Sequence, residues 1–197
     1  LPNMGASQAN EKALFAAVES GDVDAVRSLV QENKACIETK NRFGYSPLHW
    51  ASRHGQVDAA RYLIETTKID VEAKGDKEYT ALHYAAQYGQ IEMVRYLVEN
   101  AKANVEAKNR DGRTSLHCAT DHGKADTVRY LVESAKAHIE ARNNDGMTPL
   151  HYAAGCGQID AVKYLVESAK ANIETKNVEG MTPLHYAADY GQVDALR

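Results

Sequence analysis

No stretch of this chain is apolar for long. Its longest runs fall well short of the roughly 18 residues that a membrane span needs, so insertion into a bilayer is not expected. Neither sign of charge dominates. Lys and Arg number 23 against 27 Asp and Glu, and a net −4 leaves no electrostatic footprint for nucleic acid or an anionic membrane surface. Cysteine is scarce: Cys36, Cys118 and Cys156 form no CxxC pair and have no His at metal-ligand spacing. They are expected to be free thiols of a protein in a reducing, cytoplasmic compartment, with no metal and no cofactor. Residues 1–10 lack the basic start and apolar core of a secretion signal, and are expected as a terminal tail or cloning remnant.

What the chain does have is a period. Gly146-Met147-Thr148-Pro149-Leu150-His151 returns every 34 residues, as Gly44 to His49, Glu78 to His83, Gly112 to His117 and Gly180 to His185. One step further back lands on Leu14, with Phe15 in place of the His. A fixed period over almost the whole length is the signature of a stacked array, in which neighbouring units bury one another's apolar faces.

Within a unit the pattern predicts two helices. Ser46 stands at an N-cap with Pro47 in the first turn, where a missing N–H costs nothing, and Leu48, Ala51 and Ser52 form the inward face. Gly55 ends that helix, and Val57 to about Lys68 forms the second. The same plan runs through the first unit, where Gly21 is a break and Asp22 an N-cap. Between units, segments such as Val105 to Arg113 end in Asn-x-Asp-Gly, a tight-turn signal. The small Ala pairs 85–86, 153–154 and 187–188 let helices approach closely.

These residues carry a resemblance. Thr148-Pro149-Leu150-His151, Ala153-Ala154, Gly157, Val162 and Leu165-Val166, preceded by Asn143-x-Asp145-Gly146, resemble the ankyrin repeat over residues 11–197. That implies an all-α repeat solenoid of helix-turn-helix units with projecting β-hairpin or turn fingers. A tetratricopeptide reading fails because Gly55, Gly89, Gly123, Gly157 and Gly191 cut the first helix short. The units are expected at about 11–43 (a cap-like unit), 44–77, 78–111, 112–145, 146–179 and a truncated 180–197. The family's usual period is one shorter. The extra residue falls in Glu133 to His138 and its copies, predicting a longer second helix or a wider return loop there. In the third unit Glu78 replaces the turn Gly, which should strain or remodel that finger.

Nothing catalytic can be assembled, for no nucleophile, base and orienting group come together, so the chain is not expected to be an enzyme. The row His49, His83, His117, His151 and His185 is read as structural. Units about 10 Å apart are too distant for two imidazoles to share one metal, and the resemblance implies that this His bonds the Thr and the neighbouring finger. Second-helix triads such as Asp58/Arg61/Glu65 and Asp126/Arg129/Glu133 are read as a solvated outer wall of i,i+3 and i,i+4 pairs. Trp50, Tyr84, Tyr152 and Tyr186 are read as packing between copies.

Positions that differ between copies are free for other uses, and the resemblance places them along a concave groove. The candidate partner-binding residues are Arg42, Phe43, Tyr45, Arg53 and His54, then Lys77, Tyr79, Gln87 and Tyr88. Arg110, Arg113, His122, Met147, Met181 and Tyr190 complete the set. Aromatics, Met and Arg are the types enriched at interface hot spots. The expected function is a non-catalytic, monomeric interaction module that binds another protein or peptide in that groove. The target would have apolar anchors and some acidic character. The alternative is a targeting or substrate-recruiting arm of a larger enzyme or membrane protein with another domain beyond residue 197.

Overall fold

Six short helical pairs follow one another along the chain in the computed structural model, which describes residues 4–32 and 37–196. The first pair is α1 (Met4–Ser20) and α2 (Val23–Glu32); the second is α3 (Pro47–His54) and α4 (Val57–Thr67). The third is α5 (Ala81–Tyr88) and α6 (Ile91–Arg95), which runs on into a π-helical turn, Tyr96–Asn100. Next come α7 (Ser115–Asp121) with α8 (Ala125–Glu133), then α9 (Pro149–Gly155) with α10 (Ile159–Lys163) and its π-helical turn Tyr164–Ser168. The last pair is α11 (Pro183–Asp189) and a 3-10 turn, Val193–Leu196.

The boundaries follow from local chemistry. Ser46, Thr114, Thr148 and Thr182 each close a reciprocal capping box with the His three residues on, and Pro47, Pro149 and Pro183 occupy the first turns. Gly55 takes φ +71 and so ends α3 in the left-handed conformation that only glycine adopts without strain. Asp22 caps α2 by accepting from the Ala25 amide at 3.0 Å. Leu48, Leu82, Leu116 and Leu150 of the first helices are at most 3% exposed, and Leu63, Leu97, Leu131 and Leu165 of the second helices are fully buried. Each such leucine contributes roughly 1.5–3 kcal/mol of burial.

The chain divides into two compact units. One takes the residues up to Ala85 together with Glu92–Ala103, and the other Ala86–Ile91 together with the residues from Asn104 on. In the first, α1 packs on α2 and α3, α3 packs on α4, and α2 packs on α4. In the second, α7 packs on α8 and α9, α9 on α10 and α11, and α8 on α10.

Several expectations need correcting. The segment expected as a tail is helical from Met4, because α1 begins there. The fingers take the turn form of the two that the resemblance allowed, with no strand among the described residues. The triads of the second helices are not simple i,i+3 and i,i+4 pairs either. In one of them Arg61 approaches Asp58 to 3.8 Å, at the edge of ion-pair distance. The guanidinium groups lie instead over the tyrosine of the next repeat: Arg27 over Tyr62, Arg61 over Tyr96 and Arg129 over Tyr164, each 5.6–5.7 Å from the ring centroid. Tyr96 also donates to Glu65 at 3.5 Å. Burial and the Glu133 carboxylate push the Tyr164 phenol up to about 12. The wall is therefore a set of joints between repeats.

The extra residue of the 34-residue period is taken up at the end of the second helix. Lys68, Lys102, Lys136 and Lys170 stand at φ 59, 59, 59 and 62, in the left-handed region where a Gly would be the unstrained choice. The Ala103 amide reaches back six residues to the Leu97 carbonyl, and Ala137 and Ala171 repeat this to Leu131 and Leu165, at 2.8–2.9 Å. The ammonium groups of Lys102 and Lys136 donate to the carbonyls of Glu99 and Glu133, at 2.6 Å each, which offsets part of the backbone cost.

Candidate functional site

The fingers are built by one asparagine each. The Oδ1 atom of Asn109 accepts from the amides of Asp111 and Arg113 at 3.0 and 2.8 Å, while its own amide donates to the Arg113 carbonyl. Asn41, Asn143 and Asn177 do the same, and the glycine three residues on turns the chain at φ +74 to +79. The third finger departs twice. Gly75 stands in the asparagine position, and both Lys77 (φ 49) and Glu78 (φ 61) are forced into left-handed backbone. The missing asparagine was the signal that sequence reasoning passed over.

The histidine row holds each finger to the helix before it. The amides of Ser46, Thr80, Thr114, Thr148 and Thr182 point at Nδ1 of His49, His83, His117, His151 and His185 at 3.1–3.2 Å. An amide can only donate, so each Nδ1 carries a lone pair. The neutral ring then has its proton on Nε2. For His49, His117 and His151 that nitrogen donates to the carbonyls of Ala73, Met147 and Met181 at 2.9–3.1 Å. Burial holds His49 and His117 down to about 4, and lowers His151 as well. The row is structural, and no group of three or more metal-ligating side chains occurs among the described residues.

In the first unit the finger residues meet the end of the first helix in an aromatic cluster. Tyr45 lies 5.4 Å from Trp50, 4.8 Å from Tyr84 and 6.3 Å from Phe43, and its hydroxyl accepts from Arg53 at 3.2 Å. Tyr79 lies tilted against His83 and Tyr84 at 5.3 and 5.1 Å, and His54 lies 4.7 Å from Trp50. Tyr45, Arg53, His54 and Tyr79 are half-buried, whereas Arg42, Phe43 and Lys77 are exposed. Phe43, Tyr45 and Tyr79 were expected as finger residues free to bind a partner. Phe43 is exposed, at 50%, whereas Tyr45 and Tyr79 pack the cluster.

The second unit presents a polar chain at the equivalent places. Gln87 lies 3.1 Å from Nε2 of His122, whose Nδ1 lies 3.7 Å from the Asp121 carboxylate. Asp121 accepts from Arg113, whose guanidinium sits 4.4 Å above the Tyr152 ring. The Cys156 thiol donates to the other Asp121 oxygen at 3.2 Å; burial, with that carboxylate, pushes the thiol up to about 11. Arg113 is thereby committed to holding the finger to its own helix. Met147 and Met181 are half-buried, as is Gln87, while Tyr88, Arg110, His122 and Tyr190 are exposed. Tyr190 stacks on Tyr186 at 6.2 Å.

An open cavity of about 560 Å³ lies in the first unit between α1 and the second finger, floored by Phe15, Phe43 and Trp50. Phe15 and Trp50 were not among the candidate residues. Their signal was the single break in the histidine row. Among the described residues Cys118 is buried and Cys156 exposed, neither in a disulfide, and Cys36 lies outside those residues. No helix among the described residues is long and apolar enough to cross a membrane.

A family model described as ankyrin repeats matches three times, over residues 2–75, 67–143 and 135–197. Among solved structures, the chain is similar to one from the complex of the Bd0816 predatory endopeptidase of Bdellovibrio bacteriovorus with immunity protein Bd3460. The two share 29% identity over 94% of this chain and 95% of that one, with a TM-score of 0.77. No curated protein matches.

Proposed function

The chain belongs to the ankyrin-repeat family, an all-α repeat fold whose members are protein–protein interaction modules, and we propose that it is a non-catalytic module of this kind. Its partner is a protein or peptide held on the face formed by the finger tips and the ends of the first helices. One observation carries this reading. Residues at the unlike positions touch each other there, Phe43 with Tyr45 in the first unit and, across successive repeats, Gln87 with His122 in the second. Scattered surface variation would not produce contiguous aromatic and polar clusters. The exposed members are Arg42 and Phe43 in the first unit and Tyr88, Arg110, His122 and Tyr190 in the second; within each unit these offer the contact and the half-buried ones support them.

A specific observation favours a second reading, in which the partner is itself an enzyme. The similar solved chain comes from a complex of an endopeptidase with an immunity protein. Affinity capture tests the first reading. Partners recovered by the array should be lost with Phe43→Ser/Tyr88→Ser/His122→Ser and kept with Glu92→Gln/Asp126→Asn/Asp160→Asn on the second helices. Equal recovery by both triple variants refutes the finger face as the binding surface. An enzyme among the lost partners, inhibited by the array, selects the second reading.

A further inference from the structure

The cavity beside α1 lies where one residue departs from a pattern that three other repeats keep. At the place equivalent to Phe15, His49, His117 and His151 donate from Nε2 to a carbonyl of the following finger. A phenyl ring has no proton to donate, so α1 cannot clasp the second finger in that way. The space of about 560 Å³ opens between them. That volume accepts a bulky side chain. Its floor is preorganised: Phe15 meets Trp50 edge-on at 6.2 Å, and Trp50 is propped by Tyr45 and His54 at 5.4 and 4.7 Å.

The rim is charged unevenly. On the finger side Arg42 lies 4.6 Å above the Phe43 ring, while Lys40 lines the pocket with its ammonium donating to the Lys74 carbonyl at 2.9 Å. Arg42 and Lys12 are exposed and have no carboxylate partner among the described residues. The α1 wall carries both signs, Glu11 and Glu19 with Lys12. An occupant therefore finds an apolar floor, a basic finger wall, and a helix wall one charge net negative, so an acidic group is drawn to the finger side.

We propose that this pocket is a socket for a bulky apolar side chain of a partner peptide, with an acidic residue next to that anchor held by Arg42. The inference rests on the interaction-module reading and names the chemistry of its partner. Trp50 is the only tryptophan in the chain, so its emission reports on this pocket alone. Three blocked pentapeptides titrated against the whole chain provide the test: Ser-Asp-Phe-Asp-Ser, Ser-Lys-Phe-Lys-Ser and Ser-Asp-Ala-Asp-Ser. The first should bind at least about tenfold more tightly than the other two. Phe15→His, which supplies the residue of the other repeats, should weaken it at least about tenfold without lowering the melting temperature. Arg42→Glu should turn the preference toward the Lys-flanked peptide. Equal affinities, preference of the unaltered chain for the Lys-flanked peptide, no response to any peptide at millimolar concentration, or indifference to either substitution each overturns the proposal. A protein partner that Phe15→His leaves bound but Phe43→Ser/Tyr88→Ser/His122→Ser releases would remove the socket and keep the finger face.

Discussion

Acid should loosen this protein well before its carboxylates protonate, because the buried histidines cannot accept a second proton in place. At His49 and His117 a backbone amide already occupies the Nδ1 lone pair and the Nε2 proton is given to a carbonyl. Both rings are at most 1% exposed, and burial holds them down to about 4 from an ordinary 6.5. As pH falls through 6.5 the unfolded chain binds protons that the folded chain refuses until about 4. The contribution is thus complete above 6.5 and is lost across that window. At 1.36 kcal/mol per pH unit, each ring costs about 2 kcal/mol between pH 6.5 and 5, and the two together about 4 kcal/mol. His151 is lowered too and adds in the same direction. That sum is a large part of the roughly 5–15 kcal/mol by which domains are stable. Urea unfolding at about pH 7.5, 6.5, 5.5 and 5 measures it, followed by circular dichroism and by emission of Trp50, next to His49. A stability constant to within about 0.5 kcal/mol over that range would refute the reasoning. So would ring-proton NMR showing His49 and His117 titrating near 6.5 in the folded chain.

Four further outcomes can be checked by the same unfolding measurement. Glu78→Gly removes a side chain from left-handed backbone at φ 61 and should stabilise by about 1 kcal/mol; no gain would mean the third finger is unstrained. Lys136→Gly should stabilise by only about 0.5 kcal/mol, since the ammonium bond to the Glu133 carbonyl is lost with the strain. Arg113→Ala strips a half-buried Asp121 of its cation and should cost about 3 kcal/mol, with Arg113→Lys recovering little of it. Tyr45→Ala should cost about 3 kcal/mol as a member of the aromatic cluster, whereas Phe43→Ser should stay within about 0.5 kcal/mol.

The helices were legible because each boundary is set by neighbours in sequence: Thr148 and His151 cap α9, Pro149 opens it, and Leu150 recurs on schedule. Features made by contact between repeats were not. Arg129 and Glu133 sit at helical spacing, which suggests pairing with Asp126, yet both turn to Tyr164, 35 and 31 positions away. Tyr45 reads as a free finger residue because nothing in the sequence says that Trp50 and Tyr84 converge on it. Arg113 looks like a binding residue until Asp121 and Tyr152 are seen around it. The cavity was written in one letter, Phe15, but its meaning depends on where His49 sends its Nε2 proton.

The arginine-over-tyrosine joints have a mechanical consequence. In each the cation is anchored in one repeat and the ring in the next, as with Arg27 on Tyr62 and Arg129 on Tyr164. Cohesion therefore resides in the seams. A repeat that lets go loosens the grip on its neighbour before it loses its own helices, and opening should travel seam by seam, like a zip, from whichever end is weaker.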